Sequence, residues 1–421
     1  MWNSSTIRPP YAMHEVELTA PPAPLRLGPG EGGAHVLLRH HGRPVGRFWM
    51  APARHGAELT AEQVQAQAHA VVAAASQVNT LVIRDALVQA PSAPAPALTI
   101  AVCTRNRAGL LRRCLTALVA LRDACGSDAV EILVVDNAPP DDSTRAAAAE
   151  FEGVRYAMEP VPGLNFGRNR ALAETTRDWL AFVDDDAVAD RHWLDALAEG
   201  IAASPGAGGF TGPILPLMLE TEAQLRFERA GGFGKGFFMA RYCRERWGDP
   251  IYPAAAGRFG TGASMVFATA ALRALGGFDE ALDTGPPLPG GGDIDMFYRV
   301  THGGWPLVYL PGLLVHHEHR RDMPGLRKQY YSWGLSVMAL ARKSMAADPA
   351  MVPQHRRMIL SWWRYHLTRL AVALLGRGVT PPSHVLAEIT GGVQGYFGEY
   401  QRSQARIAKR KRDHAKKAPA R

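Results

Sequence analysis

The chain of 421 residues predicts an α/β protein, a mainly parallel sheet flanked by helices, with a small α+β unit before it and a helical extension after it. Three observations carry this. From Leu98 onward short apolar runs alternate with helix-like segments, the pattern of parallel strands joined by crossover helices. Polar residues follow those runs directly, where an open α/β sheet presents its ligand crevice. One run, Trp179 to Val183, ends in three consecutive carboxylates, Asp184, Asp185 and Asp186.

The elements follow in order. Met1 to Gly30 is proline-rich and lacks a basic start followed by an apolar stretch, so no secretory signal is expected and the cytoplasm is the expected compartment. Residues 35 to 50 read as two short strands around Gly42-Arg43-Pro44. Thr60 and Gln63 have capping-box spacing and open a helix near 61–76. These form an accessory unit, 1–90, closed off by the stiff, proline-alternating linker 91–97.

The main domain, 98–325, begins with strand Leu98 to Cys103, then a helix at 107–122, strand Ile132 to Val135, a helix from Ser143, strand Val154 to Met158, and a helix from Gly167 to Arg177. Strand Trp179 to Val183 delivers the acidic triplet. Further on come strand Ala263 to Ala268, a short helix Ala271 to Leu275 stopped by Gly276-Gly277, the Pro/Gly-rich loop Thr284 to Gly292, and strand Leu307 to Leu310. Helices are expected over 326–400, then a basic tail, 401–421.

A hydrophobic content of 47% with 20% charged residues argues against global disorder and against an integral membrane protein, and no apolar run approaches the roughly 20 residues that span a bilayer. The net charge of +8 is concentrated in the tail, which carries nine Lys or Arg against Asp413 alone; a solvated, frayed terminus is the expected form. The four cysteines have neither metal-finger spacing nor the density of a disulfide scaffold, so reduced thiols are expected.

Three carboxylates at the mouth of a buried strand repel one another and lose hydration, and so call for a cation. Because side chains alternate along an extended backbone, Asp184 and Asp186 are expected to share one site while Asp185 faces away. Mg²⁺ or Mn²⁺ suits such hard oxygen donors.

Leu98-Thr99-Ile100-Ala101-Val102-Cys103-Thr104-Arg105-Asn106-Arg107, Val134-Val135-Asp136-Asn137, Phe182-Val183-Asp184-Asp185-Asp186, Gly276-Gly277-Phe278-Asp279-Glu280 and Gly292-Asp293-Ile294-Asp295 occur in this order. Together they closely resemble the family 2 glycosyltransferases of GT-A fold, over about residues 97 to 325. The resemblance implies a Rossmann-like sheet and an inverting transfer from a nucleotide-sugar donor. It places Thr104 and Arg105 near the donor nucleotide, sets Asp136 on the base, and makes Asp184 and Asp186 the DxD metal element, with Asp184 and Asp185 also among the donor contacts. Asp293 becomes the base that takes the acceptor's proton, although a plain helix cap would select an aspartate there too. Asp295 is the fallback, pointing to another side.

Arg168 and Arg170 lie on the Asn165 to Arg170 turn. The resemblance favours Arg170 as a donor contact, against a solvated helix start. The commoner family pattern has Glu where this chain has Gly292, so an acceptor contact is either missing or supplied elsewhere. His317 and His319 fall on one face if extended, and His319 is the expected histidine of the metal shell. Gly231 to Gly236 lacks the Gly-Lys-Ser/Thr ending of a P-loop and reads as an acceptor-side loop.

The expected acceptor is a hydroxyl of a glycan or lipid-linked molecule, with no nucleic acid partner. The segment Trp362 to Leu375, apolar at 363, 367, 370 and 374, reads as a helix packed on the main domain or, with the basic tail, as a peripheral contact with the inner membrane face. Two rivals remain: a sugar nucleotidyltransferase, which would carry a Gly-rich basic loop after its first strand, and an inactive carbohydrate-binding relative, which would lack one of the acids.

Overall fold

A computed structural model describes residues 8–51, 56–78, 93–126, 128–244 and 249–417; part of the linker 91–97 lies outside them. The N-terminal unit comprises β1 (Tyr11–Glu17), β2 (Leu25–Arg26), β3 (Gly33–His40), β4 (Arg43–Met50), β5 (Glu58–Leu59) and α1 (Ala61–Val78). The two expected strands form, and β1, unforeseen in the proline-rich start, pairs in parallel with β3. At the head of α1 the Thr60 amide donates to Gln63 Oε1 at 2.9 Å and the Gln63 amide to Thr60 Oγ1 at 3.3 Å, the reciprocal box its spacing predicts.

The main domain runs β6 (Leu98–Thr104), α2 (Ala108–Cys125), β7 (Val130–Asn137), α3 (Ser143–Ala149), β8 (Val154–Glu159), α4 (Leu164–Glu174), β9 (Trp179–Val183), β10 (Ala187–Ala189), α5 (Trp193–Ala203), β11 (Gly209–Thr211), β12 (Ile214–Pro216), α6 (Glu222–Arg229), β13 (Ala240–Tyr242), β14 (Ser264–Ala268), α7 (Thr269–Ala274), α8 (Gly292–His302), β15 (Leu307–Tyr309) and β16 (Val315–His317). The large sheet has the order β13-β15-β11-β14-β9-β6-β7-β8. The pairs β9/β6, β6/β7, β7/β8 and β11/β15 are parallel; β14 and β13 run against their neighbours.

Both faces of this sheet are covered, which is why its strands read as continuous apolar runs. Ile100, Val102, Ile132 and Val134 pack with Leu111, Leu115 and Leu118 of α2 on one side. Ala101, Leu133 and Val135 pack with Leu172 of α4 and Met296 and Phe297 of α8 on the other. A second sheet, β10-β16-β12, lies just beyond the acidic triplet. Its antiparallel register sets His317 opposite Ala187, one residue past Asp186.

The C-terminal layer consists of α9 (Met323–Ala347), α10 (Val352–Leu374), α11 (Pro382–Gln394) and α12 (Tyr400–Lys417). Helices α9 and α11 cross closely enough that a Cβ on Gly334 would lie 1.9 Å from the Glu388 carbonyl oxygen, so only glycine fits there. The expected frayed tail is instead mostly helix α12, with one face docked: Ile407 packs on Val161 and Phe166, the Ser403 hydroxyl donates to the Ala281 carbonyl at 2.6 Å, and Arg410 donates to the carbonyls of Pro162 (3.0 Å) and Thr284 (2.9 Å). The apolar stripe of α10 divides. Trp363 and Leu370 pack towards α11, whereas Leu367 and Leu374 face outward.

Candidate functional site

The carboxyl ends of β6, β7 and β9 lie side by side, so Thr104, Asp136 and the acidic triplet share one edge of the sheet. Just past β9 the triplet divides. Ligand atoms of Asp184, Asp186 and His317 all fall within 4.8 Å of one another. Asp185 turns elsewhere, its carboxylate accepting from the Thr104 hydroxyl at 2.6 Å and from Arg107 Nη1 at 2.6 Å. Arg107 also reaches Asp186 Oδ2 at 3.2 Å.

Burial and the Asp186 charge push Asp184 up to about 6. Burial opposes ionisation of Asp186 as well, but His317 and Arg107 outweigh it and hold that carboxyl well below the usual range. The His317 ring is raised despite burial by Asp186, whose Oδ1 lies 3.1 Å from Nε2. Two crowded carboxylates held apart in this way, with an imidazole between strands, form a donor set that a small divalent cation would satisfy, Mn²⁺ accepting the nitrogen more readily than Mg²⁺.

Of the two histidines expected on one face, both are there, their Nδ1 atoms 3.3 Å apart. His317, not the expected His319, stands beside the carboxylates; His319 is turned inward to Glu228, 3.1 Å away. Strand register decides this, because β16 ends at His317 opposite Ala187.

The arginines also exchange places. Arg170, the expected donor contact, forms a surface pair with Glu174 at 2.6 Å on its own helix. Arg168 is the buried one, bound to Asp283 at 2.8 Å and to Asn165 at 2.9 Å, and it lies within electrostatic reach of Asp293 and Asp184 together. Arg105 is exposed, with Arg410 of α12 near enough to feel its charge. Asp136 is fully buried at the end of β7, takes a hydrogen bond from the Tyr156 hydroxyl at 3.0 Å, and is raised by burial.

Asp293 sits in the first turn of α8, after Gly291 as N-cap, so it is not the cap. Its Oδ2 accepts the Gly262 amide at 2.8 Å and its Oδ1 the Ile294 amide at 2.8 Å. Asp295, the fallback base, is buried and tied to Arg299 (2.8 Å) and Lys343 (2.6 Å), which removes it from any open cleft. Gly292 has a steric cause: a Cβ there would come within 2.3 Å of both Asn165 Nδ2 and Asp283 Oδ2. Asp283 occupies the space instead, accepting the Gly292 amide at 3.0 Å, and burial raises its carboxyl.

Sequence reasoning missed Asp283 and Glu228, while Lys235 belongs to the loop Gly231 to Gly236 expected on the acceptor side. Lys235, from the glycine-rich loop, is half-buried and close enough to Asp293 to feel its charge. The same loop lays Phe233 against His317 and His319, with ring centroids 5.5 and 5.6 Å away. The four cysteines are free.

Comparison with known proteins places these elements in context. The family described as "Glycosyl transferase family 2" matches residues 99–224, and "Glycosyl transferase family group 2" matches residues 179–393, half of the chain. The pre-mycofactocin glycosyltransferase of Mycobacterium tuberculosis is 27% identical over 276 residues, covering 63% of this chain and 53% of that protein. The chain thus spans about half the length of that curated relative. The succinoglycan biosynthesis protein ExoM of Rhizobium meliloti is 27% identical over 248 residues, 56% of this chain and 72% of that protein. Among solved structures, the mannosyltransferase PcManGT from Pyrobaculum calidifontis in complex with GDP-Man and Mn²⁺ aligns at TM-score 0.48 and 17% identity, over 75% of this chain and 92% of that one. S. aureus TarS 1-349 in complex with UDP aligns at TM-score 0.39 and 15% identity, over 58% and 65%.

Proposed function

This chain belongs to glycosyl transferase family 2 and is a glycosyltransferase, and from that premise we propose that it transfers a sugar, with inversion, from a nucleotide-diphosphate donor to a hydroxyl of a glycan or lipid-linked acceptor. The observation that carries the reading is the convergence of Asp184, Asp186 and His317 within 4.8 Å, with Arg168 in electrostatic reach of both Asp184 and Asp293.

Asp184, Asp186 and His317 would hold the divalent ion, which when bound neutralises charge growing on the diphosphate leaving group. Thr104 and Arg107 fix Asp185, and with it the backbone between the two metal-facing carboxylates. Asp136 is the acceptor for the donor's base at the end of β7, and Arg105 adds positive potential at the same edge. Across the cleft Asp293 is steadied by the Gly262 amide. It takes the proton of the acceptor hydroxyl as that oxygen bonds to the anomeric carbon and the bond to the diphosphate breaks on the opposite face. Asp283 and Arg168 hold the first turn of α8 in place beneath it.

Among the described residues no helix is long and apolar enough to cross a membrane. Leu360, Leu367 and Leu374 recur every seven residues on α10 and are 71%, 55% and 69% exposed, a stripe that supports peripheral contact with a lipid surface. Sedimentation with anionic vesicles, lost in Leu367→Glu, tests that contact. For the chemistry, donors carrying UDP, GDP and dTDP are screened with Mn²⁺ for released nucleotide, with and without EDTA and in Asp293→Asn. Turnover that survives both treatments sinks the mechanism.

A further inference from the structure

Behind the helix that carries Asp293 lies a cavity of about 350 Å³. Ile294 and Tyr298 of α8, Gly257, Ala341 of α9, and Met358 and His355 of α10 contribute to its walls, which are mainly apolar. Two of these residues break the pattern. His355 is 1% exposed and Tyr298 6% exposed, yet neither ring nitrogen of His355 nor the Tyr298 hydroxyl has a hydrogen-bond partner among the described residues. Buried polar atoms are ordinarily paired. His384, in the same helical layer, is contacted at both ring nitrogens, by the Ser383 hydroxyl at 3.2 Å and the Met323 carbonyl at 3.1 Å.

A partly open, mainly apolar space of this size with a few polar atoms in its walls has the make-up of a small-molecule site. Its walls are wrong for a sugar, whose many hydroxyls would lose their hydrogen bonds there. Asp293 itself does not line the cavity, but Lys235 lies within electrostatic reach of both Asp293 and the wall residue Arg258, so a molecule presenting its hydroxyl to that carboxylate extends past Lys235 towards the cavity. We propose that this cavity binds the apolar, non-sugar part of the acceptor, an alkyl or aryl group whose single hydrogen-bonding substituent meets His355 and Tyr298. The inference rests on Asp293 as the base only for the identity of the occupant as acceptor; binding itself does not depend on it.

The test uses the full chain and three probes, octyl, phenyl and methyl β-D-glucosides, each below any micellar concentration. Trp362, also in the wall, reports binding by fluorescence without donor or metal. A Cβ on Gly257 meets only Ile294 Cδ1, at 3.6 Å, so Gly257→Leu directs its side chain into the cavity without a backbone clash. Met358→Trp repeats the test from another wall if Gly257→Leu does not fold. Octyl or phenyl glucoside is expected to bind wild type at least tenfold tighter than the methyl compound, the tighter of the two identifying an alkyl or aryl occupant. Gly257→Leu is expected to erase that preference while leaving donor hydrolysis in the absence of acceptor unchanged. Equal affinity for all three probes, or a preference that survives the filled cavity, overturns the proposal. Loss of donor hydrolysis in the wild type would instead count against the transferase chemistry, and is read separately.

Discussion

His319 Nε2 lies 3.1 Å from Glu228 Oε2, and the other oxygen of that carboxylate is paired with Arg47 of the N-terminal sheet. Burial disfavours the Glu228 anion, but His319 and Arg47 hold it down to about 2, while burial keeps His319 below its usual value. A neutral His319 that donates from Nε2 to an anion must accept at Nδ1, and the atom facing it is His317 Nδ1, 3.3 Å away. This assigns a proton of His317 to Nδ1, so that Nε2, which donates to Asp186 at 3.1 Å, is the nitrogen that would turn to a metal on giving up its proton. The N-terminal unit thereby reaches the proposed metal site through Arg47, Glu228, His319 and His317.

Glu228→Leu should release that tautomer. The Mn²⁺ concentration for half-maximal activity is expected to rise by about 10- to 100-fold, the usual cost of losing a partner that orients a metal-binding histidine. The turnover rate at saturating Mn²⁺ should change much less, and Glu228→Gln, which keeps an acceptor oxygen, should fall between. A variant that loses turnover at every metal concentration would mark Glu228 as merely structural.

Asp293→Asn and Arg170→Ala should separate sharply. Removing the base is expected to lower kcat by about 10²- to 10⁴-fold with little change in donor KM. Arg170, 40% exposed and paired among the described residues only with Glu174 on its own helix, should lose no more than the roughly 0.5 kcal/mol of a surface helix pair and stay within twofold of wild-type activity. Steady-state kinetics on both variants checks the pair.

What could be read in advance follows the range of the interactions. Strands β6, β7 and β9 were legible because both faces of the sheet are buried and the apolar runs are unbroken. Strand β1 was not, since after the buried Tyr11 the run to Glu17 is only half-buried or exposed, and it gains its partner, Gly33–His40, only in three dimensions. Asp185 does face away from Asp184 and Asp186, but not through strand alternation: β9 ends at Val183 and the triplet forms a turn closed by the Ala187 amide on the Asp184 carbonyl at 3.0 Å. The choice between His317 and His319 depends on the β10–β16 register, and Asp283 and Glu228 enter from a loop and a helix far away in sequence. Tail residues such as Ile407 and Ser403 gave too sparse an apolar signal among the lysines and arginines to reveal a docked helix.

Restoring the commoner family residue in Gly292→Glu should damage the protein rather than improve it. The first side-chain carbon would collide with Asn165 and Asp283 at 2.3 Å and disturb the Arg168–Asp283 pair. Overpacking of a buried site costs about 1–3 kcal/mol, and a lower melting temperature together with reduced kcat is the expected result. Wild-type stability in this variant would show that the first turn of α8 is freer to shift than its contacts indicate.

The interior of the N-terminal sheet should make stability fall in mild acid. Burial pushes His35 down to about 3, against the pull of Glu228 and with the help of Arg47. An unfolded histidine takes up its proton near 6.5, so between pH 6.5 and 3 the unfolded chain holds one more proton at this site than the folded one. Stability from His35 is therefore complete above pH 6.5 and is lost as the pH falls, at no more than about 1.4 kcal/mol per pH unit. His35→Phe keeps a ring against Trp49, whose centroid is 4.8 Å away, and removes the titration. Urea midpoints measured from pH 7 to pH 4 should decline less steeply in His35→Phe than in wild type; parallel lines would mean that protonated His35 is accommodated in the folded sheet.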